Sequence, residues 1–179
     1  MKIIKSLLPT TFIAIALIAV SSVSSSAQDL KLTDPEIASV AVTANQIDIN
    51  YAVIAKEKSK DKEILRFAET MANDHKAVIE QAVALVTKLK VTPKDNAVSK
   101  KLMADAEKTK KTLLSKSGKA FDKAYIDNEV GYHKAVIAAV EGLLIPSSKN
   151  AELKALLTKV VPALKTHLSH AEMVQKNFK

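Results

Sequence analysis

Three of the four histidines in the chain lie where a soluble helix normally carries an apolar residue. His75, His133 and His167 each fall on the apolar face of a different predicted helix. Imidazole nitrogen is a ligand for Zn, Cu, Fe and Ni. Three converging imidazoles with one carboxylate would suit a mononuclear transition-metal site.

The apolar faces that carry these histidines alternate steps of three and four residues. This spacing keeps each set on one side of a helix and is typical of helices packed in a bundle. The faces comprise Ile64, Ala68, Met71, His75, Val78, Ala82, Leu85 and Leu89; Ile126, Val130, His133, Ile137, Val140 and Leu144; and Leu153, Leu157, Val160, Leu164, His167, Ala171 and Val174.

Capping and breaking residues divide the chain into five predicted helices. Asp34 and Pro35 mark the first start, Pro146 breaks the chain before the last helix, and Asn150 caps that helix. Only three glycines and no strand-like alternation accompany these signals, so the sequence predicts an all-α domain. The predicted ranges are 34–58, 61–90, a short Lys-rich helix at 95–116, 119–143, and 151 to near the C-terminus.

Four long helices and one short one fit a ferritin-like up-down-down-up four-helix bundle, with the short helix 95–116 in the long crossover. The second and fourth helices then run parallel, and His75 and His133 each lie roughly 20 Å from the start of their helix. His167 lies roughly 15 Å from the far end of an opposed helix. The topology therefore predicts that the three histidines share one layer.

Two carboxylates fall near this layer and complete the candidate ligand set. Asp48 lies at the same level on the first helix, and Glu129 is one helical turn before His133. The sequence predicts His75, His133 and His167 as ligands of Zn, Cu or Fe, with Asp48 or Glu129 as the fourth. Storage, buffering or protection of the cell envelope against stress would be the role of such a site.

A second interpretation of the same histidines needs no metal. Buried polar groups in proteins are normally hydrogen-bonded, and Asp74, Glu129, Tyr51 or Tyr132 could each pair with a core histidine. The protein would then be a structural or interaction module of the cell envelope. Its Lys-rich face at residues 94–119 would either dock on an anionic membrane or cell-wall surface or simply be solvated.

Several enzyme classes are disfavoured by the motifs. Di-iron bundles place a Glu three residues before each inward histidine, whereas this chain has Ala72, Val130 and Leu164 there. Metalloprotease and P-loop signatures are absent from the sequence. An enzyme that uses a metal as Lewis acid or redox centre would need an open coordination position and a cavity, and the sequence shows neither. No catalytic residue is predicted.

The N-terminal 27 residues are typical of a secretory signal peptide. Lys2 and Lys5 precede an apolar stretch at 13–20, and small residues ending at Ala27 form a cleavage site. An uncleaved anchor is the alternative, but the last third of the uncharged stretch is nearly all Ser. We expect cleavage near Ala27, a flexible segment at 28–33, a domain at 34–179, and a location in the periplasm or at the outer membrane.

The charge of the mature chain argues against nucleic acid as a partner. Without the two leader lysines, 25 basic residues face 19 acidic ones, a net charge of +6. Arg66 is the single arginine, whereas base and phosphate recognition relies on Arg. The absence of Cys excludes disulfides and lipid attachment through an N-terminal Cys.

Several short motifs, in order and at matching spacing, resemble one bacterial family. The resemblance to the domain of unknown function 4142 family spans about residues 34 to 175. The motifs are Phe67-Ala68-x-x-Met71-x-x-Asp74-His75, Ser117-Gly118-x-x-Phe121-Asp122-x-x-Tyr125, His133-Lys134-x-Val136, Leu153-Lys154 and Pro162-x-Leu164-x-x-His167-Leu168.

This resemblance implies a ferritin-like four-helix bundle exported in Gram-negative bacteria, often described as an outer-membrane protein, with no demonstrated activity. The family's aspartate-histidine pair falls on Asp74 and His75, and its two later histidines fall on His133 and His167. An acidic residue of its first helix falls on Asp48. Where the family often has Asp-His-x-Lys-Ala, this chain has Gly131-Tyr132-His133-Lys134-Ala135, so that Glu129 is the nearest carboxylate.

Overall fold

The computed structural model describes residues 31–178, which form helices and no strand. The all-α class is therefore confirmed. The predicted leader and residues 28–30 of the segment 28–33 lie outside the described residues. The main helices are α1 (Asp34–Lys58), α2 (Lys62–Lys88), α3 (Ala97–Leu114), α4 (Gly118–Ala139) and α5 (Ala151–Gln175).

The helix starts follow from side chains that satisfy the first backbone N–H groups. The predicted cap at Asp34 is wrong by one residue, because Thr33 is the N-cap and forms a capping box with Glu36. The Asp61 carboxylate caps α2, and the Asn150 side chain accepts the backbone N–H of Leu153 at the start of α5. The Asp34 carboxylate is thereby free for another contact.

The end of α4 differs from the prediction. The helix does not end near residue 143 but continues through a π-helical turn (Val140–Leu144) into a short helical segment (Ile145–Ser147). Pro146 has no backbone N–H to donate, and it is tolerated because it lies at the start of this last segment. The chain therefore turns after Ser147.

Hydrogen bonds at the helix ends show how α3 is oriented relative to α1. The backbone N–H of Lys94, just before α3, donates to the carbonyl of Pro35, and the Lys58 amine at the end of α1 donates to the carbonyl of Leu114 at the end of α3. α3 is thus parallel to α1 and returns the chain to the opposite end of the bundle. α2 and α4 then run parallel, as the topology predicted, with α3 packed on both α1 and α4.

Two apolar clusters fill the bundle, one toward each end. The aromatic core lies toward the C-terminal end of α1 and includes Phe67, Phe121 and Tyr125, all fully buried. The aliphatic core lies toward the N-terminal end of α1. Its buried members are Leu32, Ile37, Val40, Ile137, Val140, Leu144, Leu153, Leu157, Val161 and Leu164.

α2 contributes buried side chains to the aromatic core but not to the aliphatic core. Ile64, Phe67, Ala68 and Met71 are buried in the aromatic core, but α2 has no buried residue after His75. The second half of α2 therefore packs loosely over the aliphatic core.

Among the described residues, no helix is both long and apolar enough to cross a membrane.

Asp34 joins the start of α1 to the connection between α4 and α5. Its carboxylate accepts the backbone N–H groups of Lys149 and Asn150 at 2.9 and 3.0 Å and the Ser148 hydroxyl at 3.3 Å. We expect Asp34→Ala to lower the free energy of unfolding by about 1–3 kcal/mol, since charge-assisted bonds to backbone N–H groups are lost.

Urea denaturation of the two proteins measures this loss. Asp34→Asn is the matched control, because its amide oxygen still accepts one backbone N–H. Its loss of unfolding free energy should therefore be smaller. Equal stability of Asp34→Ala and the wild type would contradict the assignment.

Candidate metal centre

The three predicted histidines meet in one layer between the two apolar cores. The ring centroids of His75, His133 and His167 lie 5.3 to 5.7 Å apart. Each histidine offers a ring nitrogen that lies within 4.8 Å of one on each of the others. All three side chains are buried. We call these residues together with Asp48 the histidine layer.

Asn45 fixes the tautomer of His75. Its amide nitrogen donates to the carbonyl of Ala41 at 2.8 Å, so its amide oxygen faces His75 Nδ1 at 2.7 Å. An amide oxygen can only accept, and His75 Nδ1 must therefore carry the hydrogen. The lone pair of a neutral His75 is then on Nε2.

The other two histidines are fixed in the same way by partners that can only accept. His133 Nδ1 donates to the backbone carbonyl of Glu129 at 3.0 Å, which leaves the lone pair on Nε2. His167 Nε2 donates to the Asp74 carboxylate at 2.9 Å, which leaves the lone pair on Nδ1. In metal sites a hydrogen bond of this kind, on the nitrogen away from the ion, orients the ring and raises its basicity.

The lone-pair nitrogens of all three rings are buried and have no hydrogen-bond partner in the structure. Asp48 lies beside two of them, with Oδ2 at 3.4 Å from His75 Nε2 and 3.6 Å from His133 Nε2. Both Asp48 carboxylate oxygens are also buried without a partner. Orphaned buried polar atoms are costly, and here they are all donor atoms that a transition metal accepts.

Burial keeps the rings of His75 and His133 neutral. Desolvation, reinforced by the neighbouring histidines, lowers the pKa of His75 to about 3. Desolvation lowers the pKa of His133 to about 4, against the opposing effect of its bond to the Glu129 carbonyl. Neutral imidazole is the form that binds a metal, so these two ligands need not lose a proton at neutral pH.

Glu129 lies on the other side of His133, with Oε2 at 3.6 Å from Nδ1. Its carboxyl group forms a second buried cluster with Asp48 and His133. Desolvation raises the pKa of Asp48 to about 8, and desolvation together with the Asp48 charge raises the pKa of Glu129. Of the two predicted carboxylates, Asp48 therefore faces the open ring nitrogens, and Glu129 is the buried neighbour of Asp48.

The donor set fits a transition-metal ion. The typical Zn–N distance is about 2.0–2.1 Å, which places the nitrogens around a tetrahedral ion about 3.4 Å apart. Ring nitrogens of the three histidines lie within 4.8 Å of one another, and a bound ion would draw them together. Nitrogen and carboxylate oxygen donors of this kind suit Zn, Cu and Fe. The ligands come from four helices, α1, α2, α4 and α5.

The interpretation without a metal accounts for only one of the two ring nitrogens of each histidine. Asp74 and the Glu129 backbone do pair with histidines, as that interpretation expects, but each occupies one nitrogen only. The Tyr132 hydroxyl donates to the Ala44 carbonyl at 2.9 Å instead.

The sequence analysis did not predict the contact between Asn45 and His75. The feature that could have indicated it is the position of Asn45, three residues before Asp48 on the same face of α1.

The Lys-rich face predicted at 94–119 is partly neutralised by its own acidic residues. Lys101 and Lys108 both pair with Asp105, and Lys110 pairs with Glu107. All three pairs are solvent-exposed, and exposed pairs contribute little to stability. Docking of this face on an anionic surface stays a prediction.

Comparison with known proteins identifies the family. The sequence pattern described as "Domain of unknown function (DUF4142)" matches residues 19–174. The chain belongs to the DUF4142 family. The resemblance on which the histidine motifs were matched is thus confirmed. No curated protein sequence matches the chain.

A solved structure supports the fold of this DUF4142 protein. The structure described as "CopM in the Cu(II)-bound form" superposes with a TM-score of 0.64 and covers 84% of this chain and 100% of its own. Sequence identity is 15%, so the likeness concerns the fold alone.

The pKa of Asp48 leads to a test of the layer in the metal-free protein. An unfolded Asp ionises near pH 4, whereas Asp48 in the folded protein holds its proton until about pH 8. Stability from this group is therefore lost as the pH rises from about 4 to 8. Asp48→Asn cannot ionise, and its amide can donate to an open ring nitrogen.

We expect Asp48→Asn to be more stable than the wild type by about 2–4 kcal/mol at pH 8 and by much less at pH 4. Urea denaturation of both chelator-treated proteins across this range gives the difference. A gap that does not grow with pH would exclude a buried carboxyl at this position. Glu57→Gln, the same acid-to-amide change at an exposed position outside the layer, is the control.

Proposed function

We propose that this protein binds one divalent transition-metal ion through His75 Nε2, His133 Nε2 and His167 Nδ1, with Asp48 as the fourth ligand. Its role is to store or buffer that ion, or to protect the cell envelope from it. The predicted leader supports a location in the periplasm or at the outer membrane. The bound ion would supply only its own coordination chemistry, and no catalytic step is proposed.

One observation carries the proposal. Each of the three histidines uses one ring nitrogen for a hydrogen bond to an acceptor and leaves the other buried without a partner, and ring nitrogens of the three lie within 4.8 Å of one another. A histidine that serves only as a core hydrogen-bonding residue has no reason to leave a buried nitrogen unpaired. Three such nitrogens, two of them within 3.6 Å of the Asp48 carboxylate, support a site built for an ion.

The chemistry of the ligands narrows the choice of ion. The set contains imidazole and carboxylate but no thiolate or thioether, which favours Cu(II), Zn(II) or Fe(II) over Cu(I). Among divalent ions, affinity for nitrogen and oxygen ligands is normally highest for Cu(II). The fold shared with a protein solved in a Cu(II)-bound form adds support for copper as the first ion to test.

The first experiment is elemental analysis of the protein, expressed from its full-length sequence and purified without chelator. We expect about one equivalent of metal per chain in the wild type. The His75→Ala/His133→Ala/His167→Ala variant should contain none, because three of four ligands are removed.

His170→Ala is the matched control for this experiment. His170 lies one turn after His167 but packs against Phe67, with ring centroids 5.1 Å apart. The His170→Ala variant should therefore keep its metal. Circular dichroism establishes that each variant is folded. A wild type that contains no metal and takes up no Cu(II), Zn(II) or Fe(II) on titration would overturn the proposal.

Metal binding should also release a proton from Asp48. At pH 6.5 the metal-free carboxyl is protonated, because its pKa is about 8, and a ligating carboxylate must be ionised. We expect about one proton to be released per ion bound, measured by calorimetry in buffers of different ionisation enthalpy. The Asp48→Asn variant should bind the ion more weakly and release fewer protons than the wild type. Identical proton release from both proteins would show that Asp48 is not a ligand.

A further inference from the structure

A cavity of about 620 Å³ lies between the helices on the α1 N-terminal side of the histidine layer. All five helices line it, and most of its wall is apolar, with Asp48, His75, His133 and His167 of the histidine layer at one end. Its volume is within the range of about 300–1,000 Å³ that is typical of small-molecule sites. Representative wall residues are Val78, Leu85, Val98, Leu143, Leu156 and Val160.

The cavity has two local causes. α2 buries no residue after His75, so its second half stands away from the aliphatic core. Alanines at 38, 41, 82, 139 and 163 line the space where larger side chains would close it. The bundle is therefore held open on one side of the histidine layer and closed by the aromatic core on the other.

An apolar cavity of this size is unfavourable when it holds nothing that matches its wall. Water is a poor filling, because a buried water needs polar partners and the aliphatic wall offers few. The wall therefore suits an apolar ligand.

The shape of the cavity indicates a linear ligand. On α5 alone the wall extends from Leu153 to His167, which corresponds to roughly 20 Å along the helix axis. The wall contains branched aliphatic side chains along this length, with Tyr51 and Tyr132 only at the histidine end. A flexible hydrocarbon chain fills such a space better than a rigid planar ring.

The mouth of the cavity has a lysine beside it, and the Asp74 carboxylate, which also lines the cavity, is already bonded to His167. Exposed Ala77 on α2 and exposed Ala163 on α5 both line the cavity, which therefore reaches the surface along the seam between these helices. Lys159 lies on this seam, one turn before Ala163, and its amine donates to the Gln81 side chain at 3.2 Å. Among residues 31–178, Lys159 forms no salt bridge, so its charge is available to an anion.

We propose that the cavity binds a long-chain fatty acid, with the acyl chain along the aliphatic wall and the carboxylate beside Lys159 at the mouth. An aliphatic chain matches the wall, and its carboxylate matches the Lys159 ammonium beside the opening, which forms no salt bridge among residues 31–178. The acyl chain lies on the aliphatic side of the histidine layer, whose residues line the other end of the cavity, and its binding does not require a bound ion.

The test is a titration of the full-length-expressed protein, purified without detergent, stripped of lipid and treated with chelator. The fluorescent fatty acid cis-parinaric acid is the probe, and palmitate is the competitor. We expect saturable binding of the probe and its displacement by palmitate. A lack of saturable binding, or of displacement, would overturn the proposal.

Two helix-matched variants locate the acyl chain. Ala82→Phe places a ring in the cavity and should weaken binding at least about tenfold, because the volume available to the chain is reduced. Ala84→Phe makes the same change at an exposed position outside the wall and should bind as the wild type does. Thermal melting shows whether both are folded, and equal binding by both variants would place the probe elsewhere.

Lys159→Gln tests the position of the carboxylate. It should weaken palmitate about threefold to tenfold at low salt, where a surface charge pair is least screened. Hexadecanol has the same chain without the charge, and its competition should be unchanged by this variant. An equal effect on both competitors, or on neither, would contradict a carboxylate at Lys159.

Discussion

Every polar atom buried between the two apolar cores must find a partner, and this requirement shapes the centre of the molecule. His75, His133 and His167 each satisfy it on one ring nitrogen, through Asn45, a backbone carbonyl and Asp74. Those three bonds decide which nitrogen of each ring keeps its lone pair. The choice of nitrogen that each ring keeps for an ion therefore depends on residues that would not themselves be ligands.

The same layer separates two cores that are packed differently. On the aromatic side, all four long helices contribute buried side chains around Phe67 and Tyr125. On the aliphatic side, α2 contributes no buried residue and a cavity remains. The tightly packed half supplies a rigid support for the ligand residues, and the open half provides space beside them. The proposed ion would thus lie in the polar layer itself, and the proposed acyl chain would lie on its aliphatic side.

Much of this arrangement could be predicted from the sequence, and the remainder has identifiable physical causes. The common level of His75, His133 and His167 follows from the fixed rise of a helix once helix order is assumed. The Asn45–His75 and Asp74–His167 bonds depend on the rotation of one helix about its axis relative to another, which spacing does not determine. The cavity depends on how far α2 stands from its neighbours. The π-helical turn at Val140–Leu144 changes a hydrogen-bond pattern that apolar periodicity does not distinguish from an α-helix.

The parallel course of α2 and α4 has a consequence for how such a chain can change in evolution. One residue inserted in α2 between Asp61 and His75 would turn His75 by about 100° around the helix and remove it from the layer. An insertion between α2 and α3, or between α3 and α4, would leave every ligand at its level, because the crossover carries none of them. Relatives should therefore vary in length around the crossover helix while keeping constant distances from each helix start to its histidine.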